Sequence, residues 1–498
     1  MVFPSISRDD FRFSLKDTGT ILELAALSFL VPALWALVAF FFFREGIEPV
    51  IVFMLTGLLC YLFGHMLKSS FVGEKTAELK HGLIVTALVW IIFPFFAALP
   101  FVFLLGVGFL HSYFESVSSL TTTGISILYP FIDSAPSSII LWRSFLGWIG
   151  GIGIIALAFI GILGVYSSYG KLAVAEGRTE RISPGLKRSI QMIWKIYLGL
   201  TVLGAVVLWF SGLQPFDALN YSMTSISTNG MTPTATGLSG EHAGWLAAGE
   251  RNYWIDITLM FLMFFGATSF VLHYYFFAKN EWRAYVRDTE FKALFFAGLL
   301  FALISMPKLG IESSFFHAIG AITGGGLQLG LPVELAAWPD IAKLAIMAAM
   351  AIGGASASTT GGLKIGRVVL FLKSIWWKAK EIIASGQLVF PKKFAGRNVQ
   401  EKETAEVFLF ILMYLLAVLL AVFVLVFDGA KSGDALFEVL SAQGNVGLTT
   451  GISNMAMPVT SEIALIASML AGRLEILPFL ALAGILAGKM LPSRMRNA

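Results

Sequence analysis

The chain has 498 residues, 57% of them hydrophobic and only 13% charged, with 44 phenylalanines and a formal net charge of +4. A mean hydropathy of +0.80 excludes an ordinary soluble globule and points to an integral membrane protein. Cys60 is the only cysteine, which excludes an internal disulfide and a cysteine-based metal site, and the modest positive balance belongs to membrane-protein loops and carries no nucleic-acid signal.

In chain order, the polar N-terminal stretch "MVFPSISRDDFRFSLKDTG" precedes an apolar run too long for the core of a cleaved signal peptide, so that run reads as a true span. Spans near 20–43 and 48–67 predict an N-terminal hairpin (1–70). Four units follow, over 71–168, 169–280, 281–403 and 404–498, the third ending in a cytoplasmic linker. Each has an apolar helix, a short polar segment too brief to cross, and a second helix. First helices are predicted near 82–106, 188–212, 288–307 and 405–428, and second ones near 138–165, 253–278, 339–372 and 459–488. The expected fold is an all-α polytopic bundle of about ten crossings, because helices satisfy the backbone in lipid.

Lys and Arg collect between units: Lys68, Lys75 and Lys80; Lys171, Arg178, Arg181, Lys187 and Arg188; Lys279, Arg283, Arg287 and Lys292; Lys378, Lys380, Lys392, Lys393, Arg397 and Lys402; and the tail cations Lys489, Arg494 and Arg496. The positive-inside rule makes these segments cytoplasmic. The alternate segments carry Asp133, Glu241, Glu250, Glu334, Asp340, Asp428 and Asp434, and lie outside.

The four short segments align as "FESVSSLTTTGI" (114–125), "NYSMTSISTNGM" (220–231), "FHAIGAITGGGL" (316–327) and "FEVLSAQGNVGL" (437–448). Gly124, Gly230, Gly326 and Gly447 coincide. Six positions before each stands a small residue (Ser118, Thr224, Gly320, Ser441), and directly after each a large apolar one. Such an internal repeat sets architecture. Non-helical backbone at membrane depth must be buried in protein or line water, and four such segments on one side can meet around an axis. Glycine permits positive φ and close backbone approach, as a ring of carbonyls replacing a cation's hydration shell requires. Each preceding stretch forms a half-helix whose partly negative C-terminal end points at the cation. For any one segment alone, an external Gly/Ser/Thr turn is the bland alternative.

Two further features stand at membrane depth. The run "GGASASTTGGLK" predicts an unwound segment, with a glycine-rich packing face as the alternative. Arg473 in "AGRLEIL" is an intramembrane charge, functional or else paired with Glu475. "GWIGG" (147–151) reads as a helix-packing motif. His273 and His317 read as packing or interfacial residues, since no histidine has metal-ligand spacing. Glu115 and Glu438, at equivalent positions, are expected to hydrogen-bond to the backbone of their own segments. No paired intramembrane Asp, HExxH or Ser/His pair suggests an enzyme.

These units resemble those of the Trk/Ktr/HKT superfamily of potassium transporters, in which one chain supplies four helix, pore-loop, helix repeats, and the TrkH branch most. "WRSFLGWIGGIGIIALA" (142–158), "GATSFVLHY" (266–274), "IGGASASTTGGLKIGRVVLFLK" (352–373) and "MLAGRLEILPFLAL" (469–482) are similar to its four returning helices. The second segment reads Thr228, Asn229, Gly230 where TrkH-type proteins often have TGG, the third reads TGGG, and the fourth resembles both TrkH and KtrB styles.

The resemblance implies a K⁺ filter made by Thr121, Thr122, Thr123, Gly124, Ser227, Thr228, Asn229, Gly230, Thr323, Gly324, Gly325, Gly326, Gly444, Asn445, Val446 and Gly447. It implies a gating element at Gly353, Gly354, Ser356, Ser358, Thr359, Thr360, Gly361, Gly362 and Lys364, with Arg473 below the filter. It also implies multi-pass residence in the cell (inner) membrane among its lipids, and a homodimer with one pore per subunit. A cytoplasmic TrkA-like RCK/KTN regulatory subunit is expected to bind NAD(H) or ATP. K⁺ is then the transported ion, and no organic cofactor is expected in this chain. Glycine at position 124 favours K⁺, since plant members with serine there are associated with Na⁺. The alternatives are a Na⁺-permeable channel of this fold, or a cation-coupled secondary transporter, which predicts inverted repeats where these four share one orientation.

Overall fold

The computed structural model describes residues 8–69, 79–153, 186–238, 252–330, 332–383 and 391–475. Lys75, Lys171, Arg178, Arg181, Glu241, Glu250, stretches 154–158 and 476–482 of the first and last motifs, and the tail cations lie outside these residues.

The N-terminal hairpin starts earlier than its hydropathy suggests. Its first arm is helical from Arg8 to Ala25, passes through a 3₁₀ turn at Ala26–Phe29 and continues over Leu30–Phe43. Within the polar beginning, Ser14 and Thr18 satisfy their hydroxyls on the carbonyls of Asp10 (3.0 Å) and Ser14 (2.8 Å), one turn back. Asp10 is buried there, bridged by His81 at 2.9 Å and Lys80 at 3.4 Å. Arg44 ends this arm in the left-handed region (φ 58°), and Pro49 opens the second arm, Glu48–Lys68.

After the hairpin, the first helices of the four units are Leu79–Leu105, Leu186–Phe210, Thr289–Leu309 and Glu401–Phe427. Each leads to a short helix: Phe109–Leu120, Pro215–Ile226, Ile311–Ile322 and Ser432–Gly444. Twelve or thirteen residues rise only about 18–20 Å, less than a bilayer core. The chain then returns by Ser137–Ile152, Tyr253–Ala267, Asp340–Ile352 and Val459–Arg473.

Apart from the unwound run expected in the third, the returning helices differ from the continuous crossings expected. Among the described residues six helices are long and apolar enough to cross a membrane, and one further pair, Tyr253–Ala267 and Phe270–Lys279, is bent by 102°. The first returning helix ends on Gly153 (φ 93°) and the third on Gly353 (φ 74°), while the second breaks at Thr268 and Ser269, whose hydroxyl caps the next helix at Val271. The fourth ends at Arg473, and the third resumes as Ile365–Ile383. Between Ile383 and the fourth unit, a two-stranded hairpin pairs Lys393 with Asn398 through an Ala395-Gly396 turn in which both residues have positive φ.

Burial runs opposite to that of a soluble protein. Phe42, Phe210 and Phe427 are 78%, 80% and 91% exposed, while Glu115, Arg143, Asn229, Glu438 and Asn445 are 0–1% exposed at the centre. An apolar outside around a polar middle is the arrangement lipid demands.

Candidate functional site

Each short helix runs straight into its glycine segment. The carbonyl six positions before the glycine receives the returning chain: Thr123 N donates to Ser118 O (2.9 Å), Asn229 N to Thr224 O (2.8 Å), Gly326 N to Gly320 O (3.2 Å) and Val446 N to Ser441 O (2.9 Å). This explains the small residue noticed there in sequence, because the chain folds directly over it. The helix C-terminal carbonyls thus remain beside the segments, where a cation is favoured.

Backbone handedness repeats fourfold. Two positions before the glycine, Thr122, Thr228, Gly324 and Asn445 have φ of 58°, 55°, 67° and 53°; the glycines themselves have φ of 81°, 76°, 55° and 110°. Alternating handedness lets successive carbonyls turn the same way, unlike the alternation of a strand. Left-handed threonines are strained, and such strain clusters at functional sites.

The four segments close on one another in cyclic order. A β-carbon on Gly124 would fall on the carbonyl oxygen of Asn229, and one on Gly230 would lie 2.5 Å from that of Gly325. One on Gly326 would fall on the Val446 oxygen, and one on Gly447 would lie 2.5 Å from the Thr123 oxygen. First touches second, second third, third fourth, and fourth first. Asn445 adds Nδ2 bonds to Thr123 Oγ1 and Met469 O, both 2.9 Å, and Thr121 and Thr123 hydroxyls lie 2.8 Å apart. Gly147 and Gly151 of the first returning helix press on Asn229 and Ser227, the packing role expected of "GWIGG".

Behind the ring, both predicted carboxylates hold backbone. Glu115 accepts from Ile127 N (3.2 Å) and Ser126 Oγ (2.8 Å), and Glu438 from Thr449 Oγ1 (2.7 Å), Thr450 N (3.1 Å) and Ser453 N (3.2 Å). Sequence reasoning missed Arg143, whose Nε donates to Glu115 at 2.8 Å and whose Nη1 reaches Thr232 O at 2.9 Å, tying first unit to second. An arginine inside an apolar span is the signal that marks it. It also missed His317, whose Nε2 accepts from Leu329 N at 3.3 Å.

The run 353–364 is unwound, as expected, between Ile352 and Ile365. It lies against the second returning helix through Ala355 N to Ala267 O (2.9 Å) and Thr359 N to Gly266 O (3.2 Å), and its Thr359 hydroxyl is 3.1 Å from that of Thr228. Glu290 anchors the far side, accepting from Ser356 N (2.7 Å) and Oγ (3.0 Å). Lys364 turns back to the carbonyl and hydroxyl of Thr360.

Arg473 joins three units. It donates to Thr122 Oγ1 (3.2 Å), to the Thr359 carbonyl, and to Gly150 O (2.6 Å) and Gly151 O (3.0 Å). Glu475 is not its partner, since it pairs with Arg367 at 2.6 Å. Arg473, Lys364, Thr360, Gly472 and Trp90 line a cavity of about 30 Å³, room for little more than a water.

Among the described residues no group of three His, Cys, Asp or Glu could hold a metal ion. A bare cation in this ring would rest on backbone and hydroxyl oxygens, ligands suited to a hard, weakly held ion. Fold and site together define a multi-pass, all-α cation-transport protein. The chain belongs to the TrkH family of cation transport proteins, whose family model matches residues 50–306 and 302–497. A cation transporter of Methanocaldococcus jannaschii is 30% identical over 490 residues, covering 98% of each chain. The Trk system potassium uptake protein TrkH of Escherichia coli K12 is 28% identical, over 95% of this chain and 98% of that one. The crystal structure of the potassium transporter TrkH from Vibrio parahaemolyticus superposes with a TM-score of 0.79 at 25% identity, covering 95% of this chain and 98% of that one.

Proposed function

We propose that this chain carries K⁺ into the cell down its electrochemical gradient, through one pore on the axis of the four glycine segments. Carbonyls of 121–124, 227–230, 323–326 and 444–447 are the ion's ligands, and the short helices aim their C-termini at it. The observation that carries this reading is the cyclic contact of the four glycines with their neighbours' carbonyls. The repeats span 71–168, 169–280, 281–403 and 404–498, with the glycine segments outward and the basic loops cytoplasmic.

The unwound run 353–364 is the gate. It hangs on Gly266, Ala267 and Glu290 across the path below the segments, with Arg473 as a fixed positive charge beside it. Nucleotide control by NAD(H) or ATP comes from a cytoplasmic RCK/KTN-type subunit docking on a homodimer of this chain. The exposed cations Lys378, Lys380, Lys393, Arg397 and Lys402 suit such docking.

The test is ⁸⁶Rb⁺ uptake into proteoliposomes with competing K⁺ or Na⁺. K⁺ is expected to compete and Na⁺ to compete poorly. Equal competition would remove the K⁺ assignment, and flux indifferent to any cation would remove the pore.

A further inference from the structure

We propose that His317 is a positioning residue of the third segment, its neutral imidazole doing what the carboxylates of Glu115 and Glu438 do in the first and fourth. Glu115, Tyr221, His317 and Glu438 each stand nine positions before their ring glycine, and Ile127, Pro233, Leu329 and Thr450 each stand three after. In three units the earlier side chain accepts the later backbone N–H: Ile127 N to Glu115 at 3.2 Å, Leu329 N to His317 Nε2 at 3.3 Å, and Thr450 N to Glu438 at 3.1 Å. The second unit has Pro233, which owns no N–H, and there the position is Tyr221, packed in an apolar cluster with Leu208, Leu259 and Phe316. Where no amide must be received, the position holds an aromatic ring packed among apolar side chains. The bond fixes the chain as it leaves the ring, since a buried N–H without an acceptor is costly.

The tautomer follows from the partners. His317 Nδ1 lies 2.7 Å from Ser313 O, to which it must donate, so Nε2 keeps its lone pair for Leu329. A proton on Nε2 sets donor against donor and releases the rim of the third quarter, which a carboxylate in the same place avoids. The edge of Trp338 packs at 4.8 Å. Charged groups on elements packed against this helix are Glu290, Lys292 and Lys308 on Thr289–Leu309, Asp256 on Tyr253–Ala267, and Asp340 and Lys343 on Asp340–Ile352. Glu312 shares the helix itself, and Glu334 follows in Pro332–Ala336. A proton added to the ring binds Nε2, since Nδ1 already carries one.

This inference rests on the K⁺-filter reading. ⁸⁶Rb⁺ flux and K⁺/Na⁺ competition, measured against bath pH for wild type, His317→Gln and His317→Leu, test it. Below the midpoint of a single titrating group, protonation removes about tenfold per pH unit. Wild-type flux and K⁺ discrimination are expected to fall together along such a limb. His317→Gln keeps a non-titrating acceptor and should carry flux without the limb, while His317→Leu should lose discrimination at every pH. If the leucine variant does not fold, the glutamine pH profile decides alone. A wild type with no acid limb, a limb retained by His317→Gln, or wild-type discrimination in His317→Leu overturns the assignment. Absence of any K⁺ preference in the wild type at neutral pH instead overturns the filter reading.

Discussion

Asn445 donates from Nδ2 to Thr123 Oγ1 at 2.9 Å, joining residues 322 positions apart in the chain. This bond and the contact of Gly447 with the Thr123 carbonyl close the fourth segment onto the first. A closed ring cannot relax at one quarter without moving the next, so its members are predicted to be intolerant of added bulk. Gly124→Ser places a β-carbon on the Asn229 carbonyl at a backbone angle that L-residues avoid. K⁺ over Na⁺ preference should drop about tenfold or more, the effect of roughly 1.4 kcal/mol in differential binding. Competition of Na⁺ with ⁸⁶Rb⁺ uptake in the variant measures it, and unchanged preference would contradict the ring geometry.

Arg473 is a fixed positive charge against Thr122, Thr359 and the end of the first returning helix. Replacing it by glutamine is predicted to remove repulsion from a permeating cation and to loosen the run 353–364. Single-channel conductance for K⁺ is predicted to rise severalfold, with Arg473→Lys intermediate because lysine keeps the charge but not the forked geometry. A fall in conductance in Arg473→Gln, with folding intact, would show that its bonds matter and its charge does not.

Glu115 and Arg143 form an ion pair at 2.8 Å with side-chain exposures of 0% and 1%. Glu115→Ala strands a buried guanidinium, at a cost of about 3–5 kcal/mol. Thermal unfolding in detergent should show a large loss for Glu115→Ala. Replacing both residues by apolar ones of similar size should be milder than the single change, and a non-coupled, additive result would contradict the pairing.

Glu290 holds the unwound run by two bonds to Ser356. Glu290→Ala and deletion within 354–360 are both predicted to raise resting flux, the deletion more. Flux unaltered by both would leave 353–364 as packing alone.

The four segments, their glycines and the unwound run are all legible in the amino-acid repeat, because close backbone approach demands glycine and leaves a register that survives side-chain divergence. The breaks in the first and second returning helices are not legible there. Hydropathy counts apolar residues through 253–278, and nothing in that sum registers that Thr268 and Ser269 trade helical bonding for a cap. The helix at Arg8–Ala25 is hidden for a related reason, since it depends on Asp10 meeting His81 and Lys80 from another element. Against metal-ligand patterns alone, His317 reads as a packing residue. Set in register with Glu115 and Glu438, and with Pro233 marking the exception, it carries a backbone role.

The central claim is that four segments form one K⁺-selective ring. Its most direct test is the reversal potential of single channels in planar bilayers with K⁺ on one side and Na⁺ on the other. The ring predicts a reversal displaced far toward the K⁺ equilibrium potential in the wild type, collapsing toward zero in Gly124→Ser. A wild-type reversal at zero would contradict it.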